Sequence, residues 1–310
     1  MNTNGVLNYA ETYSPRLLEL FIENSYLAPF LATNVEWEGA KTFHFTSLKV
    51  GGYKPHKLTG GWNRQKFEEK DHSYSVENDR DAEFFVDKRE MDETNRTASI
   101  ANISDTFTKT QSIPEADAYF FSKVASKAIA EKLASETGIS SWTKDNVVSK
   151  LKSIIRKCRR YTNKGLILYV RGEIMDLLSL STEYNRTINT EGLSNSPKGL
   201  QTRIAVIDGV VLIEVIDDER FYTAFDFSDG FEVTAASKAI NVLAATPMTT
   251  KYVDKISSIY LFMPGEHTQG DGGLYQNRDL NDTFIFPNAK TDKIDSIYVD
   301  YDPTNITIEE

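Results

Sequence analysis

The side chains of this 310-residue chain best suited to metal or nucleophilic chemistry are four histidines and a single cysteine. His44, His56, His72 and His267 form no H-x-x-x-H or H-E-x-x-H arrangement, and one cysteine cannot build a cysteine-rich zinc site or an internal disulfide. His44 alternates with Phe43 and Phe45, which places it on the polar side of a strand, at a surface or an interface. Cys158 falls on the apolar side of a helical repeat and reads as a packed thiol, not a nucleophile. No G-x-S-x-G elbow is present. The glycine-rich run from Gly265 to Gly273 lacks the lysine and the following helix of a phosphate cradle, so it reads as a flexible loop. Asp300-Tyr301-Asp302 is too short for a calcium loop. The expectation is therefore no catalytic residue, no cofactor site and no metal site. The rival of a different class is a metal-dependent enzyme using His44, His72 and nearby carboxylates.

Two charged segments could recognise a partner. Lys150, Lys152, Arg156, Lys157, Arg159, Arg160, Lys164 and Arg171 lie in a stretch without an acidic residue. The plain reading is the solvated face of an amphipathic helix. The sharper one is contact with an acidic surface of a neighbouring copy. Phosphate contact comes third, because aromatic stacking partners are not interleaved. From Glu68 to Glu93 eleven carboxylates face only Lys70, Arg80, Lys88 and Arg89. That stretch is a solvated strand edge, where charge blunts unwanted pairing, or one side of an intersubunit seam. Complementarity between the two segments would set register more than strength.

The bulk composition, 40% hydrophobic and 26% charged, allows a buried core. The formal net charge of −10 argues against a dedicated nucleic-acid binder. The first ten residues carry no secretory-signal pattern, and no run of 18 apolar residues occurs, so no membrane partner is expected.

Several elements must position these residues. Residues 1–35 read as an arm with one amphipathic helix through Leu17, Leu18, Phe21, Ile22 and Leu27, the alternative being a helix folded onto its own domain. Residues 36–90 read as a long hairpin. Its base is apolar at Phe43, Phe45, Phe84 and Phe85, and its tip from Val50 to Lys70 has little to bury. Residues 93–137 read as helix in two parts. Ser112 is the expected N-cap of the second, with Pro114 in the first turn, Glu115 closing a capping box and Gly138 as the stop. A helix follows over 143–162, then a strand from Leu166 to Val170 and a short helix from Glu173 to Leu180. Asp208-Gly209 predicts a type I′ hairpin between Ile204–Ile207 and Val210–Val215. Short strands are expected near Ile240, Ile259, Thr283 and Ile297. Without a regular βαβ rhythm the class is α+β.

The stretch from Asp87 to Asn95 leading to Ile113–Ala125, then Ala239–Leu243 with Met248–Lys251, then Asp282–Phe286 with Ile294–Val299, resembles major capsid proteins of the HK97-like fold family, in particular those of tailed phages of Gram-positive hosts. The order and spacing of these segments carry the resemblance over about residues 36–300.

The resemblance implies an HK97-like capsid fold with these boundaries: an N-terminal arm (1–35), an extended E-loop hairpin with flanking strands (36–92), a peripheral domain with a long spine helix (93–146), an α/β axial domain (147–265), a return strand of the peripheral domain (266–291), and an axial-domain strand with a C-terminal tail (292–310). It implies a structural major head protein that assembles with copies of itself, as pentamers and hexamers, into an icosahedral shell. That shell would enclose double-stranded DNA without sequence-specific binding. A portal and a separate scaffolding protein, or none, would be further partners, because the arm is short. The place would be the virion, assembled in the bacterial host cytoplasm. Expected interface residues are Lys54, Lys57, Trp62, Arg64, Glu68, Glu69, Arg156, Arg159 and Arg160. Lys49, Lys54, Lys57 and Lys66 find no matching partner for a covalent crosslink, so none is expected. The alternatives are an encapsulin-like nanocompartment shell protein and a phage tail subunit.

Overall fold

A computed structural model describes residues 25–32, 37, 41–56, 62–89, 100–182, 202–262, 265–288 and 291–304. Of the expected arm helix only Leu27 is described, and it is buried in a turn ahead of the 3-10 helix Ala28–Phe30, not on an α-helix; the rest of that helix, and Lys57 in the hairpin tip, lie outside the described residues.

At the centre is a six-stranded sheet in the order β4-β13-β10-β5-β7-β6. Its strands are β4 (Ala134–Glu136), β5 (Ile167–Arg171), β6 (Ile204–Ile207), β7 (Val210–Val215), β10 (Ile240–Ala245) and β13 (Tyr298–Tyr301). Parallel and antiparallel pairs are mixed. The strands are near-continuous apolar runs because both faces are covered. Ile167 and Tyr169 point to one side, Leu168 and Val170 to the other. On the first side lie helix α2 (Ile113–Ala130), through Phe120, Phe121 and Val124, and the segment carrying Leu27 and Phe30. On the second lie helices α3 (Val147–Lys157) and α4 (Gly172–Leu180). The β6–β7 hairpin turns at Asp208 and Gly209 with φ of 51° and 79°, as a type I′ turn requires.

A second, antiparallel sheet has the order β11-β12-β3, from β3 (Asn78–Asp87), β11 (Thr250–Phe262) and β12 (Gly272–Ile285). Here the strands are far longer than the short segments expected near Ile259 and Thr283. The glycine-rich run is a loop only up to Asp271. Gly272 and Gly273 open β12, and a Cβ on Gly272 would sit 2.2 Å from the Val86 carbonyl oxygen, so only glycine lets these backbones approach.

The hairpin 36–90 divides between two sheets. β1 (Thr42–Val50) and β2 (Phe67–Ser75) form a separate two-stranded ribbon. The chain bends at the buried Val76, and β3 then pairs with β12 instead of continuing the hairpin.

Ser112 does not cap a helix. It has helical dihedrals and makes no capping bond, and α1 (Ile100–Phe107) runs through a π-turn at Thr108–Ser112 into α2. The Ile113 amide reaches back five residues to the Thr108 carbonyl. Thr108 and Thr110 hydroxyls donate to the Ser104 and Thr106 carbonyls at 2.8 Å, satisfying groups the wide turn would orphan. Glu115 closes no capping box either, and accepts from Arg80 instead. Gly138 is not the helix stop: α2 ends at Ala130, and β4 intervenes because Ala134 pairs with Val299.

Candidate functional site

The ribbon is the least self-sufficient element. Its base is anchored by aromatic rings: Phe43 meets Phe284 at 4.9 Å between centroids, and Tyr74 meets Phe286 at 5.2 Å. Lys70 and His72 reach Asp292, and the Lys70 contact holds that carboxyl below its usual range. Beyond the base the ribbon buries little. Val50 and Phe67 are directly opposite one another, as are Leu48 and Glu69, so Leu48, Val50 and Phe67 share a face. These three are 55%, 69% and 70% exposed, and Trp62 is 93% exposed. Gly51 donates to the Lys66 carbonyl at 3.0 Å, and the Asn63 amide to the Pro55 carbonyl at 2.8 Å, which holds the two limbs of the tip together.

The expected interface residues fall into two groups. Lys54, Trp62, Arg64, Glu68 and Glu69 are exposed on the ribbon. Glu68 lies 3.9 Å from Lys49 across the strands. Arg156 on α3 and Arg159 just after it are exposed, with no ion-pair partner among the described residues. Arg160 is exposed too but bonds Asp295 at 2.8 Å. Among the described residues no ion pair joins the basic stretch 150–171 to the acidic stretch 68–93. Much of each is answered locally: Lys157 stacks on Tyr298, Lys150 on Trp142, Asp79 binds Lys41 and Arg278, and Arg80 binds Glu115.

His44 lies on the ribbon surface against Asp71, on the side away from Phe43. Cys158 is buried, and burial pushes its thiol up to about 12. Among the described residues no group of three or more His, Cys, Asp or Glu is placed to hold a metal ion, and no helix is long and apolar enough to cross a membrane.

No protein-family model matches the chain, and the comparison with curated proteins finds no match. Solved structures do match. The capsid of cyanophage P-SCSP1u superposes with a TM-score of 0.58 at 7% identity, over 90% of this chain and 88% of that one. The mature capsid of bacteriophage PhiM1 gives 0.57 at 13% identity, over 91% and 86%. The chain has the HK97-like capsid fold. A virus-like particle from Pyrococcus furiosus also matches, with a TM-score of 0.50 at 14% identity, over 94% of this chain and 98% of that one.

Within this HK97-like fold, two features were not read from the sequence. One is the buried pair Asp117–Arg220. The other is a polar pocket under the helices, lined by Arg80, Glu115, Asp254, Asn277 and Asp279 among others. The first signal was an aspartate inside the apolar run Ala116–Phe121. The second was the alternation Asn277, Asp279, Asn281, which puts three polar side chains on one face of β12.

Proposed function

We infer that this chain is the major coat protein of a tailed bacteriophage, a subunit that closes with copies of itself into pentamers, hexamers and an icosahedral shell. The observation that carries the reading is the β1–β2 ribbon. It holds Leu48, Val50, Phe67 and Trp62 in solvent on an element with no core of its own. Exposed apolar surface of this kind is satisfied by a partner, and a shell supplies one for every copy. The likeness to phage capsid chains over nine-tenths of the length supports it.

In this reading residues 36–92 are the E-loop hairpin with its flanking strands and lie over an adjacent subunit. Residues 93–146 form the peripheral domain with the spine helix, joined by the return strand of 266–291. Residues 147–265, with the strand in 292–310, form the axial domain, and 1–35 the arm. Lys54, Lys57, Trp62, Arg64, Glu68 and Glu69 meet a neighbour from the ribbon, and Arg156, Arg159 and Arg160 from the axial domain. DNA is enclosed without sequence-specific contact, which suits a net charge of −10. A portal and a separate scaffolding protein are the further partners, and assembly takes place in the host cytoplasm.

Electron microscopy of concentrated protein, expressed with and without its neighbouring genes, tests this reading. Closed icosahedral particles are expected. Persistent monomers, even with a scaffold supplied, overturn it, and rings or tubes point to a tail subunit. The likeness to the virus-like particle favours a second reading, an encapsulin-like compartment. Particles that co-purify with a cargo protein and no DNA would select it.

A further inference from the structure

The pocket between the β11-β12-β3 sheet and the α1–α2 helix encloses about 600 Å³, well within the range of small-molecule sites. Its lining includes six carboxylates and one guanidinium. The guanidinium is already spent: Arg80 donates to Glu115 at 2.7 Å, to the Gly230 carbonyl at 3.3 Å and to the Phe227 carbonyl. Asp79 is likewise satisfied by Lys41 and Arg278. Asp254 and Asp279 are not. Neither pairs with a cation among the described residues, and Asp279 receives only the Ser257 hydroxyl and the Asn277 amide.

A second observation is independent of the carboxylates. Asn277 is 8% exposed and lines the pocket, and its Oδ1 has no hydrogen-bond partner among the described residues. Its Nδ2 donates to Asp279 at 3.2 Å, which fixes the amide with the oxygen left over. A buried acceptor without a donor is destabilising, so the pocket is short of N–H groups. The other wall is apolar, made by Phe84, Phe107 and Ile259.

We propose that this pocket binds a linear alkyl polyammonium ion, its ammonium groups on Asp254, Asp279 and the Asn277 carbonyl and its methylene chain along Phe84, Phe107 and Ile259. A metal ion fits less well. It needs several oxygens converging within about 2.6 Å, and among the described residues no such group of three occurs. The site lies within one chain and does not depend on the coat-protein reading. Asp254 is open to solvent at the mouth, so the ion can enter without local unfolding.

The probe is spermidine, titrated calorimetrically into the purified full-length chain, with MgCl2 and NaCl at matched ionic strength. Spermidine is expected to bind at about one site per chain and to raise the melting temperature more than either salt. Asp254→Asn and Asp279→Asn should each weaken binding at least tenfold, while Asp208→Asn on the distant hairpin leaves it unchanged. Should Asp279→Asn fail to fold, Asp254→Lys at the exposed mouth supplies a tethered ammonium, which should abolish spermidine binding and keep a cooperative melt. Equal effects of magnesium and spermidine, wild-type binding by the Asp254 variants, or no saturable heat overturn the proposal.

Discussion

Arg220 Nη1 donates to Asp117 Oδ2 at 3.0 Å, joining the 3-10 turn that follows β7 to a carboxylate with no exposure at all near the start of α2. The Ser25 hydroxyl and the Tyr26 amide bind the other oxygen at 2.7 and 3.1 Å, so two distant segments converge on one aspartate of α2. The two partners are not equivalent. Arg220 also holds Asp217 at 2.7 Å, whereas Asp117 has no other cation among the described residues. Arg220→Ala should therefore cost more than Asp117→Ala, about 3–5 kcal/mol for a buried charge left unpaired. Chemical denaturation of the two single variants and the double variant checks this, with non-additivity expected between contacting residues.

Acid should stabilise the fold over one interval. Burial pushes Asp117, which has no solvent exposure, up to about 6. A carboxyl raised above its unfolded value of 3.8 binds its proton more tightly in the folded state. Its stabilisation is fully present below that value and is lost as pH rises through about 6. Asp79 and Asp292 have the opposite shift, and their contribution is lost as pH falls through values below 3.8. The urea midpoint should thus rise from pH 7.5 to pH 5 and fall again below pH 4. Asp117→Asn should flatten the rise, and a midpoint that drops between pH 7.5 and 5 contradicts the assignment.

Trp62→Ala and Phe67→Ser remove apolar surface that the isolated chain leaves in solvent. Each should change the unfolding free energy by no more than about 0.5 kcal/mol and sharply lower the yield of particles. Sedimentation beside a thermal melt separates the two effects.

Arg156 and Arg159 can be told apart from Arg160. Reversing the first two, as Arg156→Glu and Arg159→Glu, should leave the melt unchanged and impair assembly. Arg160→Ala breaks the Asp295 contact, an exposed pair worth no more than about 1 kcal/mol, and should lower stability slightly. If all three behave alike in both assays, the basic end is not an interface.

Legibility along the chain followed how strongly local pattern fixed each element. The Asp208-Gly209 turn, α3 and the buried strands β5 and β10 could be read because turn chemistry or apolar periodicity determined them alone. The coreless hairpin tip was read correctly as an element lacking cover, though the ladder extends further, to Val50–Phe67. β12 is not legible over most of its length because Gln276–Asp279 is an unbroken polar run, with the pocket and not a core on one side of it. The Ser112 cap was wrong because a π-turn keeps the helix continuous where the sequence offers every local signal for a start. Exposure of Arg156 and Arg159 follows from their place on the polar side of a helical repeat, whereas the partners of Glu68 and Arg160, and the Asp117–Arg220 pair joining residues 103 positions apart, depend on the tertiary fold.

Helix α2 touches both sheets: Phe120, Phe121 and Val124 press on the six-stranded one, while Tyr119 and Lys123 hold Asp282 of β12 at 3.0 and 3.3 Å. Asp282 sits two residues from Phe284, the ring on which Phe43 anchors the ribbon. A pull on the ribbon tip therefore runs along β1 into Phe284, through β12 to α2, and so into the centre of the molecule without crossing a loop. In a closed wall of such subunits, a load taken up by the ribbon of one copy would thus reach its central core through this single chain of contacts.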